Sequence, residues 1–313
     1  MELLLISTAL FVAFSNGAND NFKGFATVWG SQTLSYRQAL LLATAATVAG
    51  ALASAFLAEG LVQQFSGKGL VPDAVAAAPQ FILSVAVGAA VTVFLTTRTG
   101  FPVSTTHALI GGLVGAGAGR VRLAAAPGAS GAAVLMNAAP ELVIASAAEC
   151  DRLPTPAARV SVGRVAERVH VFSAAAICFA RGVNDTPKLA ALLLAAHMLH
   201  ASLSVALIAA TMAVGGLLYA RRVAEKMSLR MTALDSGQGL AANLVTAGLV
   251  LFASKLWLPV STTHVSVGAI AGVGSGAKTL DWPTLRGILL SWVATLPVAA
   301  AVAWAAAAAL RAA

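Results

Sequence analysis

Two proline-led hydroxyl motifs are the residues of this chain best suited to binding an anion. Residues 101–107 read FPVSTTH and residues 258–264 read LPVSTTH, so six of the seven positions are identical. Proline cannot continue a preceding helix, and Ser and Thr oxygens cap the start of a new one. Free N–H groups and the positive dipole end of the new helix would then face an anion. The candidate substrate-binding residues are Ser104, Thr105, Thr106, Ser261, Thr262 and Thr263. The alternative is that these hydroxyls only bond back to their own helix at a kink, but the duplication favours binding.

A second repeated motif, Gly-x-Asn-Asp, precedes each hydroxyl motif, at residues 17–20 and 182–185. A bare carboxylate in an apolar span costs at least about 2.5–3.5 kcal/mol, so a cation or a proton should compensate it. The adjacent glycines would permit the broken backbone that a cation site uses. The candidate cation-coupling residues are Asn19, Asp20, Asn184 and Asp185, and Na⁺ at Asp20 and Asp185 is the only metal that we expect.

Basic residues accompany both acids. Lys23 and Lys188 each follow an aspartate by three residues, where they could neutralise the acid or attract an anionic substrate. Arg181 stands where the first motif has Asn16, and it could bind an anion or lie at the membrane surface. The possible accessory residues are Lys23, Lys188, Arg181, Gln238, His107 and His264. The histidines could order the hydroxyls or carry protons, and Gln238 could reach a central site or cap an interface.

The elements that position these residues are predicted to be membrane helices. The 313 residues are 58% hydrophobic and 10% charged, whereas soluble domains carry roughly 25% charge. Several runs without Asp, Glu, Lys or Arg approach or exceed the about 20 residues that a spanning helix needs. These runs are 38–58, 74–97, 99–119, 189–220, 236–254, 256–277 and 287–310. We therefore expect a multi-pass protein of the cell membrane, in contact with the lipid bilayer.

The net charge of +8 does not indicate nucleic-acid binding. The basic residues form short clusters between apolar runs, as at residues 221–230, and they lack interleaved aromatic residues. Such clusters are typical of cytoplasmic loops.

The paired motifs divide the chain into two halves. Asp185 follows Asp20 by 165 residues, and Pro259 follows Pro102 by 157. We expect a first transmembrane repeat at 1–122, an extramembrane connector at 123–168 and a second repeat at 169–313. The fold class predicted is an all-α polytopic membrane protein of two repeats with interrupted helices, the repeats being inverted. Segment 131–148 is apolar enough to cross the membrane, although its Asn, Pro and Glu residues argue against a crossing.

These motifs resemble those of the inorganic phosphate transporter (PiT) family. Both Gly-x-Asn-Asp copies and both Pro-Val-Ser-Thr-Thr-His copies match its duplicated signature, and residues 180–188 resemble a bacterial branch. The resemblance implies an inverted-repeat secondary transporter whose Ser/Thr motifs bind phosphate near the membrane centre. It also implies that the coupling ions lie near the Asn-Asp motifs. The connector departs from similar proteins, which carry a span there, and this departure could make the protein dependent on a homodimer partner.

The sequence thus predicts a transporter that moves inorganic phosphate by symport with Na⁺ or H⁺, without a cofactor and without enzymatic activity. No G-x-x-x-x-G-K-[ST] nucleotide loop occurs. The closest alternative is a permease of the same architecture for sulfate or another tetrahedral oxyanion. A membrane phosphotransferase or hydrolase and a passive channel are further alternatives.

Overall fold

The computed structural model describes residues 1–57, 71–118, 162–195, 200–256, 258 and 260–312. Within these ranges the chain is mainly helical, and an isolated antiparallel β-bridge joins Thr232 and Leu280. The helices are α1 (Glu2–Asp20), α2 (Ala26–Gly30), α3 (Tyr36–Leu57), α4 (Asp73–Ala76), α5 (Pro79–Arg98), α6 (Thr105–Ala118), α7 (Val162–Ala195), α8 (Ala201–Tyr219), α9 (Arg221–Glu225), α10 (Ser236–Lys255), α11 (Thr262–Gly276) and α12 (Trp282–Ala312). A 3₁₀ turn covers Lys23–Phe25, and a π-helical turn covers Lys226–Arg230.

Six helical stretches among the described residues are long and apolar enough to span a membrane. Large apolar side chains such as Phe56 and Phe172, which are 86% and 75% exposed, point outward from the helices. Such outward apolar surface suits lipid rather than water. The prediction of an all-α, multi-pass membrane protein is confirmed.

Both hydroxyl motifs interrupt a helix. In the first half α5 ends at Arg98 and α6 begins at Thr105; in the second, α10 ends at Lys255 and α11 begins at Thr262. The turn after α5 uses Gly100 at φ +77°, a left-handed conformation that glycine adopts without strain. The predicted interrupted helices are therefore present at both copies.

The two Asn-Asp motifs differ in backbone structure. Helix α1 ends at Asp20 and a 3₁₀ turn follows it. Helix α7, in contrast, continues through the second motif and through Pro187. The prediction of a broken backbone at Gly17 and Gly182 is wrong, because both glycines lie within continuous helices, where they allow close packing against a neighbouring helix.

Glycines bring α1 of the first half against α8 of the second. A methyl group on Gly17 would lie 2.0 Å from the carbonyl oxygen of Met212, and one on Gly215 would lie 2.1 Å from that of Phe14. Only residues without a Cβ allow two helix backbones to approach this closely.

The same contact recurs between α7 of the second half and α3 of the first. A methyl group on Gly182 would lie 2.3 Å from the carbonyl oxygen of Thr47, and one on Gly50 would lie 2.0 Å from that of Phe179. Each half thus contributes one helix to each of the two tight pairs, and α1 and α7 also touch each other. The packing of helices from opposite halves brings the two Asn-Asp motifs together.

Helix α12, from the end of the chain, packs on α5 and α6 of the first half. The indole Nε1 of Trp292 donates to the carbonyl oxygen of Pro102 at 2.8 Å, so α12 also supports the first interruption. Of the predicted connector 123–168, residues 123–161 lie outside the described residues, while residues 162–168 begin α7. The division into repeats at these boundaries, and their inversion, stay predictions.

We expect Gly17→Ala and Gly182→Ala each to lower stability by about 1–3 kcal/mol, because overpacking a filled contact forces the helices apart. Gly248→Ala is the matched control, since no described atom lies within 4 Å of its Cβ position. Thermal unfolding of the detergent-purified proteins measures the difference. Equal melting temperatures for all three variants would contradict the close-packing role.

Candidate anion-binding site

The serine of each hydroxyl motif caps the helix that follows it. The hydroxyl of Ser104 accepts from the backbone N–H of His107 at 3.1 Å, and that of Ser261 accepts from His264 at 3.2 Å. The remaining N–H groups of the first turns of α6 and α11 have no partner within their helices. Two helix N-termini with adjacent hydroxyls therefore lie inside the protein, as the sequence predicted.

The ammonium group of Lys23 connects the two halves. It is buried, forms an ion pair with Asp20 and donates to the carbonyl oxygen of Val103 at 2.9 Å. It also hydrogen-bonds to the hydroxyl of Thr263 from the other half. Lys23 therefore holds its own half's aspartate against the other half's hydroxyl motif.

Lys188 makes the equivalent set of contacts in the second half. Its Nζ lies 3.2 Å from Asp185 Oδ1, 3.2 Å from the carbonyl oxygen of Val260 and 3.0 Å from the hydroxyl of Thr106. It also donates to Asn184 Oδ1. Both lysines thus use an aspartate and a carbonyl from their own half and a threonine from the other.

Asn16 and Arg181 meet between the two aspartates. The amide nitrogen of Asn16 lies 3.0 Å from Asp20 Oδ2, 2.9 Å from Thr105 Oγ1 and 3.4 Å from Asp185 Oδ2. Its carbonyl oxygen accepts from Arg181 Nη1 at 3.3 Å. One amide therefore joins both carboxylates to the arginine.

The guanidinium of Arg181 is buried rather than at a surface. Its Nη1 lies 3.9 Å from Asp185 Oδ2, and its Nη2 donates to Thr47 Oγ1 at 2.9 Å. The Nε atom is buried without a hydrogen-bond partner in the structure. The alternative that Arg181 lies at the membrane surface is wrong, because α3, α1 and α7 enclose it.

These charges form one buried cluster. Among the described residues, five Asp, Glu, Lys or Arg side chains are classed as buried: Asp20, Lys23, Arg181, Asp185 and Lys188. Three are cationic and two anionic, which leaves a net charge of +1 beside the hydroxyl motifs. Such a cluster is complementary to one anionic charge.

Asn19 organises the first interruption. Its Nδ2 donates to Thr97 Oγ1 and to the carbonyl oxygen of Phe101, both at 2.9 Å, and its Oδ1 accepts from the N–H of Val103 at 3.0 Å. The side chain thus satisfies a stretch of backbone that belongs to no helix. These contacts give Asn19 a positioning role, and its predicted part in cation coupling stays a prediction.

The accessory residues separate into two groups. The rings of His107 and His264 meet edge-on with centroids 4.7 Å apart, and the ring centroids of His264 and Trp292 are 3.7 Å apart. His264 Nδ1 also hydrogen-bonds with the Ser261 hydroxyl, so this pair of histidines contacts the second hydroxyl motif. Gln238 instead forms a capping box at the start of α10: its N–H donates to Asp235 Oδ1 at 2.8 Å, and its Oε1 accepts from the Asp235 N–H at 3.2 Å. These contacts cap the start of α10, and the predicted roles of Gln238 at a central site or at an interface stay predictions.

A basic cavity of about 540 Å³ lies beside the first interruption, on the side where α5 ends. It is lined by Arg98, Thr99, Gly100, Arg222, Glu225, Lys226 and Arg230. The ammonium of Lys226 lies 3.3 Å from the centroid of the Phe101 ring, and burial, with Arg230 nearby, lowers the pKa of Lys226. This cavity would concentrate anions near the site.

Sequence reasoning missed part of the site. Asn16 could have been found from its position four residues before Asp20, which matches that of Arg181 before Asp185. No sequence pattern indicates the carbonyl groups of Val103 and Val260 or the hydroxyl of Thr47 as part of the site. Only the packing of separate segments brings these groups next to the buried charged side chains.

Comparisons with known proteins identify the family of the chain. The model of the "Phosphate transporter family" matches residues 16–148 and 128–303. The chain belongs to this family. It is 31% identical over 319 residues to a "Probable low-affinity inorganic phosphate transporter" of Rhizobium meliloti, a match that covers 95% of the chain and 92% of the relative.

A second relative and a solved structure similar to this chain are also named as phosphate transporters. A relative of the same name from Mycobacterium tuberculosis is 28% identical over 324 residues, which cover 95% of the chain and 74% of the relative. The solved structure "The sodium-dependent phosphate transporter" has the same fold, with a TM-score of 0.77, 21% identity and coverage of 99% and 98% of the two chains. Members of this family are transporters, so the phosphotransferase or hydrolase alternative is excluded.

We expect Asn16→Asp to destabilise the protein more than Asn16→Ala does. The aspartate would add a third carboxylate beside Asp20 and Asp185 and would remove the donor that they share, whereas alanine removes only the donor, at about 1–3 kcal/mol. Thermal unfolding at neutral pH checks the order. The control is the same pair of changes at Asn243, a buried amide that contacts Thr27 and Gly24 and no carboxylate; an equal difference at both positions would contradict the bridging role.

Proposed function

We propose that this protein moves inorganic phosphate across the cell membrane by symport with H⁺ or Na⁺. The observation that carries this proposal is the buried cluster of net charge +1, which lies against two helix N-termini and their hydroxyls. Family membership and the names of the relatives support the same substrate.

The hydroxyl motifs are the proposed phosphate ligands. Free N–H groups and the positive dipole at a helix N-terminus favour an oxyanion, and α6 and α11 supply one such end each. The donors proposed are Ser104, Thr105, Thr106, Ser261, Thr262 and Thr263. Arg181 adds a guanidinium that can form two parallel hydrogen bonds to a phosphate.

Charge favours dihydrogen phosphate, one of the two forms of phosphate present at neutral pH, over sulfate. Dihydrogen phosphate carries one negative charge and would bring the cluster to neutrality, whereas sulfate carries two and would leave an excess negative charge in an apolar surrounding. Phosphate also carries hydroxyl groups that can donate to Asp20 or Asp185, and sulfate has none at neutral pH. Competition by unlabelled sulfate against phosphate uptake tests the alternative permease.

Movement of one half against the other would provide alternating access. Each lysine joins its own aspartate to the opposite hydroxyl motif, so a bound phosphate competes for the bonds that hold the halves together. Substrate binding and the relative position of the halves are thereby coupled in this proposal.

Labelled phosphate uptake into proteoliposomes tests the proposal. We expect accumulation driven by an imposed ion gradient, and a loss of at least about tenfold in Asp20→Asn and Asp185→Asn, because each change leaves a buried ammonium without its counter-charge. Asp73→Asn, at an exposed aspartate in the first turn of α4, is the control and should transport like the unchanged protein. Unchanged accumulation in both site variants would refute the assigned roles of these aspartates.

A further inference from the structure

The two buried ammonium groups each lie within a set of oxygen atoms that would also suit a monovalent metal cation. Lys23 contacts a carboxylate, the carbonyl oxygen of Val103 and the hydroxyl of Thr263. Hard cations such as Na⁺ prefer the same oxygen ligands: carboxylates, carbonyl groups in irregular backbone and hydroxyls. In this protein a side-chain cation fills that set of ligands.

The second set of ligands repeats the first position by position. Lys188 contacts the carboxylate of Asp185, the carbonyl oxygen of Val260 and the hydroxyl of Thr106. Val260 and Thr263 follow Val103 and Thr106 by 157 residues, the spacing of the two hydroxyl motifs. Two equivalent sites that both hold an ammonium group indicate a shared design rather than one chance contact.

The charge balance leaves no requirement for sodium. Each aspartate already has an ammonium partner, and Arg181 raises the net charge of the cluster to +1. Two added Na⁺ ions would raise it to +3 in an apolar surrounding, which a phosphate of one or two negative charges could not offset.

We infer that Lys23 and Lys188 are resident cations which take the place of coupling Na⁺, so that phosphate binds and crosses without sodium. This inference rests on the proposed function, from whose two candidate coupling ions it removes Na⁺. A tethered ammonium provides the same counter-charge as an ion but stays with the protein during transport. The two lysines are thus the residues that determine ion specificity.

The unchanged protein supplies the first test. Labelled phosphate uptake is measured in proteoliposomes with external NaCl or with choline chloride at equal ionic strength, pH gradient and membrane potential. We expect uptake rates equal within about twofold. A stimulation of tenfold or more by Na⁺ would overturn the inference while leaving phosphate transport established.

A binding measurement separates this inference from the proposed function. Thermal unfolding in detergent is followed in NaCl and in choline chloride, without phosphate, because a ligand that binds the native state raises the melting temperature. Equal melting temperatures in the two salts support the inference that the lysines replace Na⁺. A rise in melting temperature that is specific to Na⁺ overturns it. Absence of phosphate uptake under every gradient would instead overturn the proposed function.

Lysine variants provide a third test of the inference. Lys23→Gln and Lys188→Gln remove one cation each, so we expect Na⁺ to raise their melting temperatures selectively relative to choline. Lys255→Gln, at an exposed lysine in the last turn of α10, is the matched control and should show no such rise. Folded lysine variants with no selective rise would contradict the idea that the ammonium groups fill cation sites, and the measurement on the unchanged protein stands if the variants do not fold.

Discussion

The balance of five buried charges is the constraint on which the rest of the structure depends. An isolated ion in an apolar interior is prohibitively costly, and pairing lowers the cost only where the geometry is close and the remaining polar atoms are bonded. Here each aspartate has a lysine, and Asn16 links both aspartates to Arg181. The contacts of Asn16 with Asp185 and Arg181 require α1 and α7 to lie side by side, although these helices belong to different halves of the chain.

The glycine contacts make that arrangement possible. The pairs α1–α8 and α3–α7 approach backbone to backbone, so that long polar side chains meet in the space between them. The hydroxyl motifs then enter from both sides, each bonded to the other half's lysine. In the proposed function, a phosphate bound to these hydroxyls would act on the bonds joining the two halves, which would connect substrate binding to a change in conformation.

The fold alone does not decide which cation accompanies the substrate. The chain shares its architecture with a solved sodium-dependent phosphate transporter at 21% identity, a level at which the fold is common but the site chemistry need not be. In the inference drawn above, Lys23 and Lys188 supply two fixed positive charges in place of coupling ions beside the aspartates. Ion specificity on this scaffold can therefore rest on two side chains without any change in the helices around them.

The sequence by itself determined the class of protein and identified most residues that the structure brings together in the candidate site. Long charge-free runs predict membrane helices, because lipid tolerates few charges, and Pro102 predicts a helix interruption, because proline cannot continue a helix. The tertiary structure decided how the members combine. Contacts between segments over a hundred residues apart decide whether Lys23 neutralises Asp20 alone or also binds Thr263. Such contacts also decide whether Gly182 breaks a helix or lets two helices pack closely. Local sequence patterns do not predict such contacts, because the spacing of side chains along one helix does not show which other helix will pack against it.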